Sequence, residues 1–255
     1  MRRITTDASA PPRAADHGSD RRYVVRALLE PEEIVSMLRL RHRIYFEEKR
    51  YGAPKPLGLD LTAHDERCRL FGVFLDSALI GGMRLVYRNE QAANLVFRAV
   101  RAVASDARPL PSSPLLPSEE AFDLSRVPGL PAPDVRAEFG RLVLDGHAGV
   151  PWVLAHTITA GLAALYAEGC PLYMYSCAAS LAKRYARVVN PTWTLNHAAS
   201  EGIRSDGFVF PKPTIAAIAR PEDAALGASF QDYVQQLNRS GAIVLSREPP
   251  AVPRP

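Results

Sequence analysis

The chain has 255 residues, 47% hydrophobic and 23% charged, an ordinary soluble composition long enough to bury one full core. Its 31 Lys and Arg against 27 Asp and Glu give a net charge of +4. Only Lys49, Lys55, Lys183 and Lys212 are lysine, and no basic run is interleaved with aromatics, which argues against a nucleic-acid binder. The cysteines Cys68, Cys170 and Cys177 have no paired spacing, so neither a disulfide framework nor a zinc site is indicated and a reducing cytoplasm fits best.

Residues 1–20 are rich in Ser, Ala, Pro, Arg and Asp without an apolar stretch and read as a disordered arm, not a signal peptide. A single domain is expected over 21–246, with a flexible tail at 247–255. Tyr23 to Leu28 reads as a first strand. Pro31 followed by Glu32 and Glu33 starts a helix, because proline suits the first helical position and acids suit the dipole; the helix is expected to run to about Lys49. Leu70 to Leu75 and Leu79 to Tyr87, separated by Asp76-Ser77-Ala78, predict a hairpin in which Gly81-Gly82 permits close backbone approach. Ala92 to Val103 predicts a short helix. Seven prolines between Pro109 and Pro133 exclude regular helix or central strand there and predict an irregular flap. Ala137 to Leu144 reads as a strand and Pro151 to Glu168 as a central buried helix, Pro151, His156, Thr157 and Thr159 arguing against a membrane span. Leu172 to Ser176 and Ala179 to Val188 complete a strand and a helix. The order predicts an α+β fold, helices on a mostly antiparallel sheet.

Two positions stand out. Ile34, Met37, Leu38, Arg41, Ile44 and Tyr45 recur at helical spacing, which puts Arg41 in the apolar stripe. Either it snorkels from the stripe's edge or it is paired, with Asp60, Asp65 and Glu138 as candidate partners. The second is Glu138-Phe139-Gly140-Arg141, a carboxylate and a guanidinium at the start of the apolar run Leu142-Val143-Leu144. In a regular strand the two charges point to opposite faces; a bulge at Gly140 would bring them to one side.

Those residues carry a resemblance. Arg41, Tyr45 and Tyr51 match an arginine-aromatic-aromatic spacing in the first helix of a branch of N-acyltransferases. That branch comprises acyl-homoserine-lactone synthases, ornithine N-acyltransferases and N-acyl amino acid synthases, which share the acetyltransferase (GNAT) fold. Asp60 and Asp65 before Gly81-Gly82-Met83-Arg84-Leu85 match its acidic cluster and hairpin, Glu138 and Arg141 match its Glu-x-x-Arg strand, and Ala121-Phe122-Asp123-Leu124-Ser125 resembles the segment before that strand. The likeness spans about residues 22 to 190. Lactone synthases place the second acid three residues after the first, whereas here that spacing leads from Asp60 to Ala63 and back from Asp65 to Thr62; Glu-Phe-Gly-Arg is also nearer the ornithine type.

The resemblance implies a GNAT-like sheet with helices on both faces and acyl transfer from a thioester to an amine. Glu138 and Arg141 would be catalytic, with Glu138 accepting the amine's proton. Arg41, Tyr45, Tyr51, Asp60, Asp65 and Arg84 would bind the acceptor, an acid holding its ammonium and a guanidinium its carboxylate. Leu142, Val143 and Leu144 would meet the acyl donor. Coenzyme A users of this fold carry Arg/Gln-x-x-Gly-x-Gly/Ala before the long helix to cradle pyrophosphate. Asp145-Gly146-His147-Ala148-Gly149-Val150-Pro151 is degenerate and opens with an acid, which favours acyl carrier protein over acyl-CoA as donor. Arg39, Arg43, Lys183, Arg184 and Arg187 are candidates to meet that acidic carrier, and peripheral membrane contact is compatible with an acyl substrate. No bound cofactor and no metal are expected: the six histidines lack paired spacing, there is no phosphate loop or nucleophile elbow, and Cys177 reads as a buried thiol. The alternatives are an autoinducer synthase using S-adenosylmethionine and a non-catalytic module that binds an acyl chain or its carrier.

Overall fold

A computed structural model describes residues 22–88, 94–104, 113–146, 151–196, 204–205, 208–209 and 214–245. The expected arm at 1–20 and tail at 247–255 lie outside these. The strands are β1 (Tyr23–Ala27), β2 (Cys68–Leu75), β3 (Ala78–Tyr87), β4 (Arg136–Leu144), β5 (Leu172–Ala178), β6 (Trp193–Asn196), β7 (Arg204–Ser205), β8 (Phe208–Val209), β9 (Thr214–Ala219) and β10 (Ala242–Leu245). The helices are α1 (Pro31–His42), α2 (Leu95–Val103), α3 (Pro117–Ala121), α4 (Pro151–Ala167), α5 (Ala179–Val189) and α6 (Gly227–Ser240). Eight strands form one sheet in the order β10-β1-β2-β3-β4-β5-β9-β6, and the described pairs are antiparallel except β4 with β5.

The alternation of side chains sorts the sheet into two apolar faces. Tyr23, Val25, Phe71, Val73, Met83, Leu85 and Phe139 point to the face covered by α4, α5 and α6. Leu70, Val86 and Met174 point to the other, covered by α1, α2 and the flap residues Leu116 and Val127. Helices on both faces are as expected. Most of α4 is buried, in keeping with a central helix, and no described helix is long and apolar enough to cross a membrane. The hairpin closes at Asp76, whose φ of 57° carries the reversal. At Gly81 a Cβ would stand 2.5 Å from the Val143 carbonyl, so the close approach predicted for this pair brings β3 onto β4.

Four readings need correction. The first helix does not run on as α-helix to Lys49; it ends at His42 and continues as a π-helical turn over Arg43–Glu48, in which the Lys49 amide donates to the Ile44 carbonyl at 3.0 Å. The flap is not wholly irregular: α3 forms inside it, with Pro117 at the first helical position, where a missing N–H costs nothing. The helix expected from Ala92 starts at Leu95, residues 89–93 lying outside the described ones. Beyond Val189, the sequence reading offered no elements, and there the structure places β9 beside β5, α6 against α4, and β10 against β1.

Candidate active site

Arg41 is fully buried and paired. Its Nε donates to Asp60 Oδ2 at 2.8 Å, its Nη1 to Asp65 Oδ1 at 3.3 Å and its Nη2 to the Asp60 carbonyl at 3.0 Å. Burial acts to lower the Arg41 pKa, but Asp60 and then Asp65 outweigh it and the net direction is upward. Glu138, the third candidate partner, makes no ion pair with it. Asp65 lies in the 3-10 turn Ala63–Arg67, where its Oδ2 accepts from the Thr62 amide at 2.8 Å and the Thr62 hydroxyl at 3.0 Å. Arg84, on β3, donates from Nη1 to the Thr62 hydroxyl oxygen at 2.9 Å and to Asp65 Oδ1 at 3.4 Å. One oxygen of Asp60, Oδ1, is buried without a donor among the described residues.

The predicted irregularity in β4 is present, one residue further on. Gly140 pairs regularly with Arg84 and Val143 with Gly82, so Arg141 and Leu142 together oppose Met83. The residue bent out of the strand is Arg141, with φ of 51°; a Cβ at Gly140 would meet open space, so Gly140 is not the hinge. The slip reverses the alternation: Phe139 faces the α4 side and Val143 the α1 side, although both are odd-numbered. It also lets Arg141 Nε come within 3.4 Å of Asp60 Oδ2, on the side of the sheet that carries Arg84 and Glu138. The Arg141 guanidinium lies 5.7 Å from the Tyr45 ring centre, Tyr45 stacks on Tyr51 at 6.1 Å, and the Tyr45 hydroxyl donates to the Leu142 carbonyl at 2.7 Å.

Glu138 stands apart from this cluster. It is 3% exposed, it lies opposite Val86, and its Oε2 accepts from the Ser118 amide of α3 at 2.6 Å. Burial raises its pKa; the Ser118 amide, Arg84 and His64 oppose that and lose, so the carboxyl is held at about 7. The sequence left open whether burial or arginine would win, and burial wins.

Glu138 is also where β4 and β5 part. Their parallel pairing covers Arg136, Ala137 and Glu138 only, while β4 runs on to Leu144 and β5 turns its other edge to β9. Leu142, Val143 and Leu144 therefore lie along the arm of a wedge that opens just past the carboxylate. Beyond β5, an apolar cavity of about 180 Å³ lies under α5, lined by Tyr175, Cys177, Ala182, Ala186, Ile215 and Ala217. Among the described residues no three His, Cys, Asp or Glu side chains gather where they would hold a metal ion.

No protein-family model matches this chain, and no curated protein does. Solved structures do. The CoA-dependent acyl-homoserine lactone synthase BjaI, solved with S-adenosylmethionine and isopentyl-CoA, aligns at a TM-score of 0.52 and 14% identity over 90% of this chain and 95% of that one. The acyl-homoserine lactone synthase LasI aligns at 0.50 and 10% identity over 90% and 100%. FeeM, an N-acyl amino acid synthase from uncultured soil microbes, aligns at 0.48 and 15% identity over 80% and 93%. The chain has the fold of the lactone synthases. The α+β architecture expected from the resemblance is thus the one observed.

Of the residues singled out from sequence, Arg41, Asp60, Asp65, Arg84, Arg141 and Tyr45 come together, Tyr51 stacks on their rim, and Glu138 sits at the wedge beside Arg84. Two neighbours were missed. Thr62 had a signal, because Thr62-Ala63-His64-Asp65 is a capping-box pattern. Ser118 had one too: Pro117-Ser118-Glu119-Glu120 repeats the proline-then-acids signature that located α1. Arg39, Arg43, Lys183, Arg184 and Arg187, the candidates for meeting a carrier, are all exposed, Arg43 pairing with Glu48 at 3.1 Å and Asp145 at 2.7 Å. The residues expected to bear on pyrophosphate binding fall partly at 147–150, outside the described ones.

Proposed function

We propose that this protein is an N-acyltransferase that moves a medium or long fatty acyl chain from the thioester of acyl carrier protein to the amino group of an amino acid or similar small amine. The observation that carries this reading is Glu138: a carboxyl held at about 7, at the last paired position before β4 and β5 diverge. A base near neutrality can take the proton that an ammonium must lose before it attacks a thioester. The amine nitrogen then bonds to the acyl carbon, the carbon–sulfur bond breaks, the nitrogen's second proton goes to the departing thiolate so that it leaves as the thiol, and Glu138 releases the first to solvent. Backbone amides of β4 beyond Glu138 would receive the developing oxyanion. Asp60 Oδ1, buried and without a donor, suits the ammonium of the acceptor.

The donor is argued from charge. The acid at Asp145 and the exposed cations of α5 favour a carrier protein, while BjaI is CoA-dependent and bears on the other side. The unpaired thiols Cys68, Cys170 and Cys177 fit the reducing cytoplasm, where such thioesters are found. Synthesis of a lactone signal from S-adenosylmethionine is the second reading, favoured by the ligands bound in BjaI.

Purified protein incubated with decanoyl and palmitoyl thioesters, on carrier protein and on coenzyme A, together with amino acids, ornithine and S-adenosylmethionine, tests both by mass spectrometry of the products. N-acyl amino acids made by the wild type and not by Glu138→Gln support the proposal. Acyl homoserine lactone in their place transfers it to the second reading, and no product from any pair overturns both.

A further inference from the structure

The flap is tied down at Glu119. Glu119, whose side chain is 6% exposed, receives Arg136 Nη1 on Oε1 at 2.9 Å, while its Oε2 accepts from the Leu116 amide at 2.9 Å and lies 3.1 Å from Arg88 Nε. Both arginines do a second task on the same segment. Arg136 Nε donates to the Pro131 carbonyl at 2.8 Å, and Arg88 Nη1 donates to the Pro114 carbonyl. Arg88 follows the last residue of β3 and Arg136 opens β4, and the two are joined through the Arg88 amide and the Arg136 carbonyl at 3.4 Å. The anchor thus belongs to the strand ends that carry Val86 and Glu138 two residues inward. Glu119 directly follows Ser118, whose amide is the hydrogen-bond donor on Glu138.

We infer that Glu119 is a positioning residue: clamped between Arg88 and Arg136, it holds α3 so that the Ser118 amide stays on Glu138 and sets how readily that carboxyl exchanges its proton. A segment carrying seven prolines between 109 and 133 cannot be held by a ladder of backbone bonds, so its placement depends on side-chain anchors of this kind. The groups that face Glu138 are Ser118 from α3, Arg84 from β3 and His64 from the 3-10 turn, and His64 in turn lies 3.2 Å from Glu120 of the same short helix. The inference deepens the role proposed for Glu138, but its test reads the carboxyl directly.

Carbon-13 NMR of glutamate side-chain carboxyls in the full chain, with the Glu138 signal assigned by its loss in Glu138→Gln, gives the titration midpoint. In Glu119→Gln the two possible effects have opposite signs. Removing a negative charge makes Glu138 a stronger acid, whereas releasing the Ser118 amide makes it a weaker one. Positioning predicts an upward move of the midpoint, about threefold or more in the acid constant. An unchanged or lowered midpoint in a folded variant overturns it. Should Glu119→Gln fail to fold, Arg136→Lys keeps the charge and loses the fork; it is expected to raise the midpoint, and an unmoved midpoint there also overturns the inference. If no acyl transfer is detected for any protein, the proposed function fails while the NMR midpoint still decides this point; if transfer is detected, the acid limb of its pH profile should move with the midpoint.

Discussion

Asp65 and Glu138 are both buried carboxylates on the α1 side of the sheet, and the fold surrounds them in opposite ways. Asp65 is met by Arg41, Arg84, and the amide and hydroxyl of Thr62, with the Cys68 thiol at 3.5 Å. Glu138 accepts from the Ser118 amide and faces Arg84 and His64, and burial pushes it up to about 7. Burial alone does not decide the state of an acid; the number and charge of the donors that come with it do. Asp65 is therefore cast as the keystone of a structural ion network and Glu138 as a group poised to exchange a proton. Asp60 stands between them, paired through Oδ2 and free of donors at Oδ1.

The largest effect should come from breaking the first of these environments. Arg41→Ala leaves Asp60 and Asp65 in the interior without their principal cation and is expected to cost about 3–5 kcal/mol of stability, seen as a fall in Tm. Glu138→Gln breaks the second and should behave in the reverse manner, keeping the fold and lowering kcat about 10²- to 10⁴-fold. A Glu138→Gln protein that unfolds, or an Arg41→Ala protein that stays as stable as wild type, would erase the contrast.

The same contrast predicts a pH dependence. Glu138 titrates at about 7 in the folded chain and at its ordinary 4.5 when unfolded, so between those values the native state holds the extra proton. Its contribution to stability is present below about 4.5 and is lost as the pH rises through 7, by about 3 kcal/mol at most. Thermal unfolding of the wild type across this window should show that slope and Glu138→Gln should flatten it. If Glu138 is the proposed base, the rate should run the other way and rise with pH as the carboxylate forms. The smallest effect concerns the bulge. Tyr45→Phe removes the bond to the Leu142 carbonyl and is expected to cost about 1 kcal/mol, with KM raised more than kcat is lowered.

Local pattern made most of the sheet readable. Apolar runs broken by Asp76-Ser77-Ala78 predicted the β2–β3 hairpin, and the stripe that contains Arg41 raised the choice between snorkelling and pairing and named three candidate partners, of which Asp60 and Asp65 are the ones observed. What failed were cases where a local rule met a tertiary demand. Arg43–Glu48 has helical spacing, yet the backbone widens there into a π turn, from which the Tyr45 hydroxyl bonds the Leu142 carbonyl of β4. The prolines of the flap forbid a long helix but not the single turn of α3, which the arginines at the strand ends hold in place. Glycine made Gly140 the natural suspect for the bulge, whereas the register of β3 against β4 bends the chain at Arg141.

By itself the sequence determined that buried charges exist here and which residue types carry them, because an arginine in an apolar stripe and a glutamate at the head of a buried strand both need an answer from elsewhere in the chain. Only the tertiary structure decided the answers. It gave Arg41 to the two aspartates, brought Arg141 round to Asp60 through a two-against-one bulge, and left Glu138 with little more than the amide of Ser118, because the balance between burial and donors is set by strands and a flap that meet in space and not in sequence.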